Sequence, residues 1–168
     1  MVTHRQLRID QAIEEDIPLI FSFIHELARY ERALDRVSAT EESLRETLFG
    51  PTRYAEAVIA RENDVAVAFA LYYFSYTSFS AQPGLYLEDI FVRPAARESG
   101  IGRLLMAFLA QRAIELNCAR MEWSVLNWNE QAIRFYQNLS AEPINDWTVF
   151  DLSREKMAQL IKEAVEQA

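Results

Sequence analysis

Apolar positions recur at helical spacing between residues 14 and 30, where Ile17, Ile20, Phe21, Ile24, Leu27 and Ala28 predict an amphipathic helix. Pro18 falls in its first turn, behind Glu14, Glu15 and Asp16, where a missing N–H and negative charge are both tolerated. Residues 5–10 alternate instead, Leu7 and Ile9 against Arg8 and Asp10, which predicts a strand. Thr40-Glu41-Glu42-Ser43 reads as a capping box opening a short helix that ends at Gly50-Pro51. Residues 54–62 and 65–74 predict two strands joined by an Asn63-Asp64 turn. A Ser/Thr/aromatic loop follows over 75–83, then a strand over 85–92 closed by Pro94.

The clearest helix spans 100–117, with Ile101, Leu104, Leu105, Phe108, Leu109, Ala113 and Leu116 on one stripe. A strand over 120–125, a helix over 129–138 with Asn129 as its N-cap, a strand over 147–152 and a last helix from Ser153 to the C-terminus complete the chain. The order β-α-α-β-β-β-α-β-α-β-α predicts an α+β fold: one mixed sheet flanked by helices on both faces.

The 168 residues fit a single domain, 1–168, and 51% hydrophobic residues are enough for a core. Seventeen basic against twenty-five acidic residues leave a net charge of −8, which argues against a nucleic-acid partner. That charge suits a cationic substrate, and it also serves plain solubility. The lone Cys118 permits no disulfide within the chain and reads as a small buried residue. One cysteine and two histidines form no standard structural zinc site, so no metal is expected. The N-terminal residues lack a signal-peptide core, and the longest apolar run, 65–74, is half the ~20 residues a spanning helix needs. A soluble, cytoplasmic protein without a membrane partner is expected.

Chemistry concentrates in residues 87–102, LEDIFVRPAARESGIG. A strand runs into Arg97-x-x-Gly100-x-Gly102 and a long helix begins there. Unpaired first-turn N–H groups, the helix dipole and two glycines allowing close approach make an anion cradle. Arg93, Arg97 and Arg103 surround it against a single Glu98. The loop is neither a Walker A sequence nor a dinucleotide fingerprint. By itself the turn is also compatible with an ordinary strand-to-helix connection.

Arg97-x-x-Gly100-Ile101-Gly102 after Ile90-Phe91-Val92 resembles motif A of the GNAT superfamily of acetyl-coenzyme A-dependent N-acetyltransferases. Asn129 and Ala132-x-x-Phe135-Tyr136 resemble the next motif. HELARYE (25–31), LYLED (85–89), WNEQAIRFY (128–136) and DWTVF (146–150) are similar to the spermidine/spermine (diamine) and thialysine N-acetyltransferases. The resemblance implies a GNAT-type acyl-CoA N-acyltransferase fold with a mostly antiparallel sheet, a homodimer, and acetyl-coenzyme A as co-substrate. It implies acetyl transfer in a ternary complex to the primary amine of a small cationic acceptor, a diamine, a polyamine or a Lys-like amino acid.

Carried over residue by residue, the resemblance gives the coenzyme the backbone of Ile90, Phe91 and Val92, then Arg97, Glu98, Ser99, Gly100, Ile101, Gly102, Arg103 and Asn129. It gives the amine Tyr30, Glu31 and Glu88. Tyr136 becomes the general acid, and Glu88 the base, directly or through water. Glu88 and Asp89 are adjacent in a strand, which places them on opposite faces, so only one serves the cleft, and by the resemblance it is Glu88. The cation for an amino-acid carboxylate is not placed by the sequence, Arg29 being one candidate among several. Two positions depart from the family pattern: Glu98 and Ser140 stand where glycine is usual. Two other readings compete, acetylation of a protein or peptide amine and a coenzyme-binding module without catalysis, the second resting on Glu98 alone.

Overall fold

In a computed structural model, which describes residues 6–166, the alternating segments form one five-stranded sheet. Its strands are β1 (Leu7–Gln11), β2 (Glu56–Glu62), β3 (Val65–Thr77), β4 (Gln82–Val92) and β5 (Met121–Trp123), neighbours in that order. The first four pair antiparallel and β5 joins β4 in parallel. A parallel join needs a crossover, and α3 (Ile101–Glu115) supplies it. Two further helices, α1 (Ile17–Tyr30) and α2 (Glu41–Phe49), connect β1 to β2. Arg5 of the expected first strand and residues 167–168 of the expected last helix lie outside the described residues.

Turn chemistry agrees with the sequence at β2–β3, where Asn63 and Asp64 both have positive φ (49° and 66°) as a two-residue hairpin requires. The expected loop over 75–83 is mostly strand instead: β3 continues to Thr77 and β4 begins at Gln82, in register from Ser75↔Gly84 to Thr77↔Gln82. Aromatic and hydroxyl residues suit a paired strand once a partner is present, and that tertiary pairing overrides the loop-like composition. Thr40 and Ser43 form the expected capping box of α2, with Ser43 N–H donating to Thr40 Oγ1 at 3.1 Å.

The core is built around aromatic stacking. Phe23 of α1 and Phe69 of β3, both fully buried, stack with centroids 5.0 Å apart. Ile17, Ile20, Leu44, Leu48, Ala57, Ile59, Leu71 and Phe91 join them. Phe23 lay off the stripe read from the sequence, whereas Phe21 is only partly buried. Phe69 and Leu71 face α1 and α2, so Ala68, Ala70 and Tyr72 face the other way, where α3 crosses β3 and β4. That helix buries Ile101, Leu105, Met106, Leu109 and Ala113, and leaves Leu104 and Leu116 of the expected stripe exposed.

The chain divides into two compact units, the second starting at Trp128. This second unit holds α4 (Glu130–Gln137) and α5 (Arg154–Glu166). Asn129 caps α4 as expected, its Oδ1 accepting from Ala132 N–H at 3.2 Å. Ser140 follows with φ 65°, the left-handed conformation in which a side chain costs about 1 kcal/mol. The strand expected over 147–152 does not form among the described residues. A strand needs a ladder partner, and the other elements of this unit are helices.

Candidate active site

The loop from Arg93 to Gly100 delivers β4 into α3. Gly100 is the N-cap of α3 at φ 85°, a left-handed conformation that glycine adopts without strain. It brings no side chain to cap the first turn, and a Cβ at this position would meet nothing within 4 Å. An open space therefore faces uncapped N–H groups at the positive end of a 15-residue helix, with Ile101, Gly102 and Arg103 in its first turn. This is the chemistry of a pyrophosphate site, and the residues present fit that group. Ser99 Oγ is occupied in bracing the loop, donating to Ala96 C=O at 2.5 Å. Glu98 is exposed, with φ 60°. The glycine usual at this position would relieve that strain, so the departure is conformational as well as electrostatic.

The positive excess noted around the loop shrinks in three dimensions. Arg93 turns away and clamps Glu26, with Nη2 at 2.7 Å and Nε at 3.1 Å, while Nη1 donates to Ala66 C=O at 2.9 Å. The hydrogen bonds from Arg93 hold the Glu26 carboxyl below the usual carboxylate range. Arg97 donates from Nε to Val92 C=O at 3.0 Å and lays its guanidinium over the Tyr30 and Phe91 rings. Arg103 is exposed in the first turn of α3.

Strand β4 has an uncovered edge. Pairing with β5 extends only over Leu85↔Met121, Tyr86↔Glu122 and Leu87↔Trp123. From Glu88 to Val92, no described strand takes the backbone groups on that side, while Ile90, Phe91 and Val92 stay paired to β3 on the other. A ligand with amide groups, such as a pantetheine arm, would complete that edge as an added strand does.

The uncovered edge starts at a β-bulge. Leu87 pairs with Tyr72 and Asp89 with the adjacent Leu71, so Glu88 is an extra residue with no partner on β3. Strict alternation fails here: Leu87 and Asp89 sit on opposite faces of the sheet, and Asp89 shares the face of Leu71 and Phe91. Burial raises both the Asp89 carboxyl and the Tyr73 phenol, and the charge of the exposed Glu88 raises each further. Burial first, then the charges of Glu88 and Glu31, push Asp89 up to about 7. Burial also raises Glu31, which caps the C-terminus of α1 next to Tyr30. Three carboxyls thus gather at one end of α1.

A buried carboxyl with a raised pKa holds a proton in the folded protein that the unfolded chain has released. Between the ordinary range near 4 and about 7, the folded state binds more protons, so this group's stabilising contribution is complete below that window and is lost as pH rises through it. Asp89→Asn is therefore expected to raise the melting temperature at pH 8 and to change it little at pH 4.5. A gain of equal size at both values would remove Asp89 as the cause.

Tyr136 lies in the last turn of α4, where its C=O accepts from Leu139 and Ala141 N–H at 2.9 and 3.1 Å. Its ring sits 5.3 Å from that of Phe135. Asn129 spends Oδ1 on the α4 cap. Both residues belong to the second unit, whereas Glu31, Glu88, Asp89 and the loop belong to the first.

Three features escaped the sequence: the raised pKa of Asp89, the stacked Tyr73–Tyr86 pair (centroids 5.0 Å apart) beside Glu88, and the placement of Arg97 over Tyr30. Each depends on the bulge or on long-range packing. Only the Glu-Asp pair in a strand with an otherwise apolar face was a visible signal.

Comparison with known proteins converges on one family. A sequence model of the acetyltransferase (GNAT) family matches residues 20–140. The chain is 34% identical over 163 residues to the thialysine N-epsilon-acetyltransferase of Bos taurus, covering 90% of this chain and 95% of that protein. It is 30% identical over 205 aligned positions to an L-ornithine N5-acetyltransferase of Arabidopsis thaliana, covering 95% and 90%. The solved integron cassette protein from the mobile metagenome of V. cholerae superposes with a TM-score of 0.77 at 28% identity, over 93% of this chain and 98% of that one.

Proposed function

We propose, since the chain belongs to the acetyltransferase (GNAT) family and is an N-acetyltransferase using acetyl-coenzyme A, that its acceptor is the primary amine of a small cationic molecule. The class comprises diamines, polyamines and Lys-like amino acids such as thialysine. The observation that carries this reading is the gathering of Glu31, Glu88 and Asp89 on the first unit, beside the uncovered edge of β4. Two relatives named for basic amino acids support it. We take residues 1–168 to work as one domain, since the family match crosses the boundary between the units, and to act as a cytoplasmic homodimer. Among the described residues no helix is long and apolar enough to cross a membrane.

In this reading the α3 N-terminus and the Ile90–Val92 backbone hold the coenzyme, which supplies an acetyl group activated as a thioester. An alkyl ammonium arrives protonated at neutral pH, its pKa being about 10.4. Glu88, directly or through water, takes that proton, and Glu31 and Asp89 hold the cation. Tyr136 donates a proton to the departing sulfur, and transfer is direct, within a ternary complex.

The test is free-thiol release from acetyl-coenzyme A with spermidine, putrescine, 1,3-diaminopropane, ornithine, lysine, thialysine and a basic peptide. Activity with small amines is expected. Activity confined to the peptide would move the acceptor to a macromolecule, and silence throughout, with the coenzyme still raising the melting temperature, would leave a binding module. Glu98→Gly removes both a left-handed side chain and a carboxylate from the phosphate loop. It is expected to stabilise the protein by about 1 kcal/mol in urea unfolding and to tighten coenzyme binding severalfold by titration.

A further inference from the structure

Ion pairs fasten α1 at both ends. Arg61 of β2 holds Asp16, the N-cap of the helix, and Arg93 holds Glu26 in its second half. The two ends differ in what else secures them. Ile17, Ile20 and Phe23 bury the first half, whereas of residues 24–30 Ala28 is the buried one. Arg93 is itself rooted in the sheet: its N–H donates to Val67 C=O and its Nη1 to Ala66 C=O, both at 2.9 Å. Its guanidinium lies over the Phe23 ring, Cζ 4.4 Å from the centroid. A single 3-10 turn over Pro94–Ala96 then leads to Arg97, whose guanidinium lies over Tyr30, 4.9 Å from the ring centroid. Glu26 and Tyr30 are four residues apart, neighbours on one face of α1. The loop is thus strapped along that face at two points, and residues 98–100 continue from it into α3.

We propose that Glu26 is a positioning residue: through Arg93 it holds the last turn of α1 and the phosphate loop as one piece, and so sets the affinity for both substrates. This role rests on the reading above, in which the α3 N-terminus takes the coenzyme and Glu31, at the end of α1, takes the amine. Glu26 itself touches neither. Backbone N–H groups bind a pyrophosphate tightly when the loop carrying them already has its bound shape, because ordering it on binding costs affinity. A forked guanidinium–carboxylate pair fixes direction as well as distance. Both side chains are partly buried, which limits screening by salt. The hydrogen bonds from Arg93 keep the Glu26 carboxyl below the usual carboxylate range, so the pair stays charged at neutral pH. With the pair broken, the loop amides and the Glu31 carboxyl lose their fixed spacing. The reacting groups are untouched, so a complex once bound still reacts.

The experiment measures kcat, KM for acetyl-coenzyme A, KM for the best acceptor of the panel above, the melting temperature, and coenzyme A affinity by titration. Glu26→Gln keeps the shape and removes the charge. It is expected to raise both KM values and weaken coenzyme A binding at least about fivefold, with kcat changed less than about threefold. Arg93→Gln should act in the same direction, and the double variant should be no worse than Arg93→Gln alone, because one pair is lost once. Arg61→Gln is the matched control: it breaks the pair at the other end of α1 and should lower the melting temperature with kcat and both KM values unchanged. A lowered melting temperature in Glu26→Gln with both KM values unchanged makes the clamp structural only and overturns the proposal. A rise in one KM alone overturns the joint role, as does silence of the wild-type protein with every acceptor. Gly102→Glu, which puts a carboxylate in the first turn of α3, tests the coenzyme reading separately. Unchanged coenzyme A affinity in that variant overturns the reading and the role of Glu26 with it. Lost affinity there, beside an unaffected Glu26→Gln, overturns the clamp alone.

Discussion

Tyr136→Phe is expected to cut turnover about 10²- to 10⁴-fold, while acetyl-coenzyme A still binds and still raises the melting temperature. The substitution removes one oxygen and keeps the ring, so contact with Phe135 and the backbone bonds closing α4 persist. A phenol of pKa about 10 stays protonated at neutral pH and so can serve as a proton donor to a thiolate. Loss of the donor acts on the bond-breaking step and not on binding, so kcat falls and KM for both substrates moves little. The split separates this role from a packing role, since a packing defect would lower the melting temperature without a selective loss of kcat. An unchanged kcat would take Tyr136 out of the reaction.

How much of this was legible in the sequence depended on range. Asn63-Asp64, the Thr40–Ser43 box, Asn129 and the glycine-bearing loop before α3 were readable because their chemistry is complete within a few residues. The positive φ at Ser140 belongs to the same class, since it stands where the family has glycine after a helix, whereas the positive φ at Glu98 came only from the structure. The β4 bulge was not readable, because it exists only as a shift between Leu71/Tyr72 and the residues opposite them. The relation of Glu88 to Asp89, and hence the raised pKa of Asp89, follows from that shift. Arg97 was legible as part of a motif, yet its side chain's place was set by Tyr30, sixty-seven positions earlier. Motif logic found which residues matter, and packing decided which way they point.

Phe69→Ala carries the largest expected effect on stability. Phe69 is fully buried, stacks on Phe23 and pairs with Phe91 across β3 and β4. Truncating such a ring loses its transfer free energy and leaves a cavity that the sheet closes poorly, about 3–5 kcal/mol in total. Domains hold only about 5–15 kcal/mol, so the melting temperature should fall by about 6–20 °C. Phe79→Ala is the matched control: the same atoms are removed from a turn residue that is 99% exposed, so a change within about 0.5 kcal/mol is expected. The effect should also reach the site, because Phe91 rests on this core and carries the Tyr30 and Arg97 contacts on its own ring. Below its melting temperature, the Phe69 variant should therefore show a raised KM for the amine with kcat less affected. A loss below about 1 kcal/mol in urea unfolding would mean that the sheet and α1 repack around the missing ring, and that the Phe23–Phe69 stack does not hold the two together.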